Sequence, residues 1–284
     1  MNHIIIIGGN GQLGQCLQAV TSRNEQPYHY TYLSSAELNI ADGVQTKAIF
    51  EQLQPSYCIN CAAYTAVDKA EDEQDEAFEI NSAAVKRLAE ICATYNTTLV
   101  HISTDFVFDG SSSKPLTETD PCNPINVYGK SKLQGEQDIA LVLQKYYIIR
   151  TSWLYSENAN NFCKTMIKLA QSKTQLQVIY DQVGTPTYAM DLAKCIVHII
   201  NSAKPAYGIY HYSNEGVASW YDFAKAVFEF SEIEMEVIPV NSEAFVTKAI
   251  RPHYSVLNKA KIKEVFGIHI PYWRDSLNQC VNNI

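Results

Sequence analysis

Short, continuous apolar runs rich in β-branched residues alternate along this chain with longer stretches whose apolar residues recur every three or four positions. The runs are HIIIIG at 3–8, YTYLS at 30–34, SYCINCA at 56–62, TLVHIST at 98–104 and YYIIRTS at 146–152. A strand covered on both faces has no polar side to show, so it reads as an unbroken apolar run. Between the runs lie GQLGQCLQAVTS, VQTKAIFEQLQ, DEAFEINSAAVKRLAEICATYN and SKLQGEQDIALVLQ, whose spacing suits crossover helices lying on a sheet. The alternation predicts βαβ units and an α/β fold: a Rossmann-like doubly wound parallel sheet over residues 1–150.

After about residue 150 the pattern loosens. Helices are predicted in NFCKTMIKLAQ, MDLAKCIVHIIN and SWYDFAKAVFEFS, strands in LQVIYDQ and GIYHYSN, and the aromatic content rises. This predicts a smaller C-terminal α/β lobe over 151–284 that supplies substrate contacts, with part of 184–202 joining the first domain and a cleft between the two. No repeat, low-complexity tract or flexible linker interrupts the chain.

Composition narrows the partners. The 284 residues carry 22 Lys and Arg against 30 Asp and Glu, a net charge of −8, which gives no electrostatic footprint for a nucleic acid. The opening MNHIIIIGGNGQLG is too short in its apolar part for a signal peptide or a membrane span, so a cytoplasmic protein with no membrane partner is expected. Its eight cysteines are then expected as thiols. Cys58 and Cys61 have redox-motif spacing, but they lie in a strand run with no second pair to complete a zinc site, and they read as core packing.

Chemistry first shows at the end of the first run. Gly8, Gly11 and Gly14 are spaced three apart, with Asn10, Gln12 and Leu13 between them. Residues without a Cβ let backbone amides approach a pyrophosphate, and the helix that follows adds positive potential. A bare glycine turn is a weak signal; one that follows a strand and opens a helix is a cofactor-binding candidate. About 20 residues on, where NAD enzymes place an acid on the ribose hydroxyls, stand Ser34 and Ser35, with Glu37 slightly late. NADPH and NADH both stay open, and the serines either meet a 2′-phosphate or cap a turn.

Tyr128 and Lys132 lie four apart on a predicted helical face. A phenol titrates near 10, too high for easy proton exchange, and a nearby ammonium favours its ionised form. Such a Tyr can act as general acid to a ketone under hydride attack. Taken alone such a pair is far more often a solvated Lys and an edge-of-core aromatic, since both residue types are common on helices. Thr104, at the C-terminal end of a central strand where open α/β sheets bind ligands, is placed to hydrogen-bond the same substrate oxygen.

Together the glycine turn, Ser103-Thr104-Asp105 and Tyr-x-x-x-Lys at 128–132 resemble the extended short-chain dehydrogenase/reductases. Within them the chain is most similar to reductases of dTDP-linked 4-keto-6-deoxy sugars, through INCAAYTAVDKAE, HISTDFVFDG, VYGKSKLQGE, IRTSWLY, GTPTYAMDLA and RPHYSVLN. The resemblance covers nearly the whole chain. It implies reduction of the C4 ketone of dTDP-4-dehydro-β-L-rhamnose by NADPH or NADH, giving dTDP-L-rhamnose for polysaccharide biosynthesis. It also implies that Tyr128 donates the proton and Thr104 bonds the C4 carbonyl, while Lys132 binds the nicotinamide ribose and lowers the Tyr128 pKa. Asn81 would support the site from its helix. Asn39, Ile40, Ala62, Ala63, Tyr64 and Ser103 would line the cofactor, and Val67, Asp105, Phe106 and Trp153 would face the deoxysugar. Trp153 also reads as plain core packing, and Arg251 either meets the pyrophosphate of the sugar nucleotide or braces the second lobe.

Two departures from the family stand out. An acidic residue common after the second strand is replaced in Leu38-Asn39-Ile40-Ala41-Asp42, altering the adenine side. Some relatives form dimers bridged by magnesium through glutamates, but here Gln15-Cys16 and Met190 occupy those regions; no metal site is predicted, and a homodimer stays open. A nucleotide-sugar epimerase or dehydratase, and a non-catalytic cofactor-binding regulatory subunit, are the competing readings.

Overall fold

The computed structural model describes residues 2–22 and 28–284. Five of its strands fall on the five apolar runs: β1 (Asn2–Ile7), β2 (Tyr28–Leu33), β3 (Tyr57–Asn60), β4 (Thr98–Thr104) and β5 (Tyr146–Thr151). They form an all-parallel sheet in the order β2, β1, β3, β4, β5, and a sixth strand, Gly208–His211, adds in parallel beyond β5. The four isoleucines of β1 show why the run is continuous. Ile4 and Ile6 enter the core on one face, Ile5 and Ile7 the core on the other, and all four are buried. Each such side chain contributes about 1.5–3 kcal/mol by leaving water, so a polar residue at any of them would disfavour the strand.

Helix Ala189–Ser202 packs against helix Gln12–Thr21 on the first of these faces. On the other face helices Gly43–Leu53 and Ala84–Thr94 pack together, and Val127–Val142 lies alongside the second of them. Helices Phe162–Ala170, Trp220–Phe230 and Trp273–Val281 and the parallel pair Gln175–Ile179 with Glu236–Val240 form the region beyond. Among the described residues no helix is long and apolar enough to cross a membrane.

The structure differs from the sequence expectation in two places that matter to the site. Helix Val127–Val142 begins four residues earlier than the predicted SKLQGEQ start, because Asn126 caps it by accepting the Gly129 N–H at 2.7 Å. Tyr128 therefore sits in its first turn. The single helix predicted over 75–96 contains a π-helical turn, Glu79–Ala83, that carries Asn81. Gly135 of the neighbouring helix lies so close that a Cβ there would stand 2.1 Å from the Asn81 carbonyl oxygen.

Candidate active site

Chain direction across the sheet reverses between β1 and β3, since β2 lies to one side of β1 and the later strands to the other. Open α/β sheets bind ligands at such a point, beyond the strands' C-terminal ends. A cleft of about 980 Å³ opens there, within the usual size of a ligand site. The turn after β1 forms one wall. Gly8 has φ +82°, and a Cβ on it would stand 2.9 Å from the Ala62 amide nitrogen, so only glycine lets this turn press against the chain leaving β3. No side chain caps helix Gln12–Thr21, which leaves its first amides available to an anion.

Most of the residues singled out in the sequence meet in this cleft. Gly8, Asn10, Gly11, Gln12 and Leu13 line it with Asn39, Ile40, Ala62 and Ala63. At the other end stand Ser103, Thr104, Asp105, Phe106, Tyr128 and Lys132, flanked by Val67 and Trp153. Gly14 and Tyr64 do not line it. Gly14 lies beneath the Gly8 and Gly9 carbonyls, where it seats the helix on the turn. The Tyr64 phenol turns onto Glu73, and its ring packs against the small cluster of Ala70, Ala77 and Val127 that Tyr128 also borders. Of the two serines, Ser34 is taken up by Glu37, which accepts from both its N–H and its hydroxyl, whereas Ser35 lines the cleft.

Asn81 stands behind the site. It accepts the Tyr64 N–H at 2.9 Å and donates to the Tyr64 carbonyl and to the Ser131 hydroxyl at 3.0 Å, while Ser131 donates to the Tyr128 carbonyl at 2.9 Å. The Phe106 ring meets Tyr128 edge to face at 5.7 Å. Thr104 donates to Asp105 Oδ1 at 3.2 Å and accepts the Phe106 N–H at 3.2 Å.

Lys132 does not tune Tyr128 in the way expected. Its side-chain nitrogen is fully buried and donates to the Ile102 carbonyl at 2.7 Å, with His101 Nε2 3.2 Å away. Burial pushes the Tyr128 phenol up to about 12; the Thr104 hydroxyl offsets this in part and the Asp105 charge adds to it. Burial also takes Lys132 down to about 8 against the pull of Glu136. In the free protein Tyr128 is thus firmly a phenol, which is the form a proton donor needs.

Three other features, the Trp220 stack, His101 and the Arg150–Glu136 pair, could not be anticipated from the sequence, and Arg251, left there between two roles, joins them at the site. Trp220 stacks on Trp153 with ring centres 3.6 Å apart and planes 7° from parallel; both line the cleft, and Trp153 holds φ 46°, a costly conformation for a bulky residue that its packing must impose. Arg251 makes a two-pronged contact to Asp68 at 2.6 and 3.1 Å and still lines the cleft. With Trp220 it also borders a neighbouring hollow of about 650 Å³. His101 sits against Lys132, and a buried Arg150–Glu136 pair lies behind Ser103, whose hydroxyl donates to Glu136. A surplus aromatic count was the one hint of Trp220; His101 was visible only as a polar residue inside an apolar run. Cys58 is buried as expected, while Cys61 borders the cleft with its thiol pushed up by burial.

This fold with this cleft defines an extended short-chain dehydrogenase/reductase. The family model described as RmlD substrate binding domain matches residues 1–284. The spore coat polysaccharide biosynthesis protein SpsK of Bacillus subtilis (strain 168) is 39% identical over 98% of this chain and 96% of its own length. A dTDP-4-dehydrorhamnose reductase of Aggregatibacter actinomycetemcomitans is 39% identical over 98% and 97%. The solved dTDP-4-dehydrorhamnose reductase of Bacillus anthracis, in complex with NADP, superimposes with a TM-score of 0.95 at 38% identity, covering 100% of both chains. The chain belongs to the dTDP-4-dehydrorhamnose reductase family.

Proposed function

We propose that the protein reduces the C4 ketone of dTDP-4-dehydro-β-L-rhamnose with NADPH, yielding dTDP-L-rhamnose for polysaccharide synthesis. The observation that carries this is the convergence of Thr104 and Tyr128 on one end of the cleft whose other end is the glycine turn. The cleft fits a dinucleotide, with an uncapped helix start for the pyrophosphate and the Ala62–Ala63 segment beside it. Ser35 and Asn39 would meet the adenine ribose, and neither brings a carboxylate that would repel a 2′-phosphate.

When bound, the nicotinamide supplies a hydride to the sugar's C4. Thr104 would hold the C4 oxygen by a hydrogen bond, and Tyr128 would give that oxygen its proton as negative charge develops there. Lys132 would reach the ribose. The sugar would lie between Val67 and Trp153, near Asp105 and Phe106, and its nucleoside diphosphate would extend past Trp220 and Arg251 into the second hollow. The eight unpaired cysteines support a reducing, cytosolic setting.

Incubating the protein with NADPH and the keto-sugar nucleotide, and following loss of the reduced-nicotinamide absorbance, tests the reading. Tyr128→Phe is expected to lower turnover by roughly 10²–10⁴ and to leave NADPH binding intact. No oxidation by the wild type with NADPH or NADH would refute the function. A fully active Tyr128→Phe would refute the assigned proton donor.

A further inference from the structure

Behind the cleft three buried side chains stand in line: Asn60 at the end of β3, His101 opposite it on β4, and Lys132. Lys132 Nζ faces His101 Nε2 at 3.2 Å, and the other ring nitrogen, Nδ1, faces the Asn60 amide nitrogen at 3.1 Å. The orientation of Asn60 is not free. Its Oδ1 accepts the backbone N–H of Ala62 at 3.1 Å, and a backbone N–H can only donate. The Asn60 NH₂ therefore donates to His101 Nδ1.

A neutral imidazole has one donor and one acceptor nitrogen. Burial and the neighbouring Lys132 keep His101 neutral by lowering its pKa. With Nδ1 accepting, the ring proton lies on Nε2 and points at Lys132 Nζ. An ammonium cannot accept it; an uncharged amine can. The amine then has every bond matched: its lone pair takes the His101 proton, one N–H serves the Ile102 carbonyl, and one N–H remains for the cleft.

If Lys132 instead carries three protons, Nε2 must accept and the ring proton must sit on Nδ1. It then meets the Asn60 NH₂, or Asn60 turns over and its NH₂ meets the Ala62 N–H. Either way one buried donor loses its acceptor. The other groups around Nζ do not reverse this. Glu136, one turn along the same helix, is engaged by Arg150 and Ser103. Cys61, from the segment after β3, is a thiol kept neutral by burial, and Tyr128 is a phenol.

We propose that Asn60 and His101 are positioning residues that hold Lys132 as an uncharged amine in the ligand-free protein, and that Lys132 takes a proton from solvent when a dinucleotide binds. On that uptake the His101 ring proton moves from Nε2 to Nδ1 and Asn60 turns over, releasing the N–H of the cleft-lining Ala62 to an acceptor on the cofactor, while the phosphates' negative charge favours the new cation. The inference rests on the dinucleotide reading above. The charge that assists Tyr128 would then arrive with the cofactor and be absent without it. Burial, which brings Lys132 to about 8, acts in the same direction as the hydrogen-bond pattern and makes the uncharged amine the major form above that pH.

Calorimetric titration with NADP⁺ at a pH of about 8.5, in buffers of different ionisation enthalpy, reads the proton directly. A 2′-phosphate with its second ionisation at about 6 adds nothing there. Uptake of roughly half a proton or more per site is expected. Lys132→Met should abolish it. Asn60→Asp should abolish it too, because a carboxylate there fixes the ring proton on Nδ1 and charges Lys132 in advance. Nitrogen-15 spectra of the histidines at the same pH need no variant: His101 should be the Nε2–H tautomer in the free protein, against His211, whose Nδ1 faces the Leu116 carbonyl. Binding without proton uptake, or a free-state Nδ1–H tautomer at His101, overturns the proposal. Failure of NADP⁺ to bind would instead defeat the dinucleotide reading, and the free-state tautomer would still decide the arrangement of Asn60, His101 and Lys132.

Discussion

Replacing Asp105 by Asn should stabilise the protein at neutral pH and leave it unchanged in acid. Asp105 opens the short 3₁₀ turn Asp105–Val107 after β4 and is 2% exposed. Thr104 donates to Oδ1, while Oδ2 is buried with no hydrogen-bond partner. Burial raises its pKa from 3.8 to about 6, with the Thr104 hydroxyl and the backbone amides of the turn offsetting only part of the effect. A carboxyl whose folded pKa lies above its unfolded value favours the fold below the unfolded value, and that contribution is lost as pH rises through the folded one. At about 1.4 kcal/mol per pH unit, a rise of about two units amounts to about 3 kcal/mol. Asparagine has no charge to bury. Urea unfolding of both proteins across pH 4 to 8 should therefore show equal stability near the acid end and a variant stronger by about 3 kcal/mol above pH 6 to 7, or roughly 5–10 °C in melting temperature. A difference that stays flat with pH would show that Asp105 is not ionised at a buried site, since only an ionisation peculiar to Asp105 gives it that slope. The same variant should raise the substrate KM if Oδ2 is a sugar contact.

Other outcomes follow from packing and charge. Glu136→Leu strands the Arg150 guanidinium, whose pair has side chains 3% and 2% exposed, so a loss of about 3–5 kcal/mol is expected in urea unfolding. The double variant with Arg150→Met should recover much of it, and a cycle showing simple additivity would contradict the pairing. Gly135→Ala puts a Cβ against the Asn81 carbonyl; overpacking of about 1–3 kcal/mol should outweigh the gain of about 1 kcal/mol in helix propensity. Through Asn81 and Ser131 it should lower kcat more than NADPH affinity, which steady-state kinetics beside fluorescence titration would show. Trp220→Ala should release Trp153 from its stacked pose, raising KM for the sugar nucleotide and erasing any coupled-tryptophan signal in circular dichroism; retention of both would sever the link drawn between the two rings.

What the sequence disclosed and what it concealed divide along a physical line. Strands covered on both faces announce themselves by composition, so β1 to β5 and the glycine turn at the end of β1 could be located from local pattern. Tyr128 and Lys132 were legible because one helix turn sets their spacing, and Thr104 because the switch point of a doubly wound sheet lies at strand ends. The sixth strand is different. Gly208–His211 has only four residues, and its partner β5 lies nearly sixty positions upstream, so nothing local tells it from a strand of the second lobe. The same holds for the stacked pair Trp153 and Trp220 and for the pairing of Asn60, His101 and Lys132, each made by segments far apart in the chain. His101 makes the point most sharply. By composition it is a flaw in an apolar strand, and a buried imidazole costs free energy unless both ring nitrogens find partners. The fold supplies both, Asn60 from the adjacent strand in register and Lys132 from the helix above. The helix pattern had predicted a lysine tuning its own neighbour Tyr128, whereas in the free protein the lysine is claimed by the sheet beneath it.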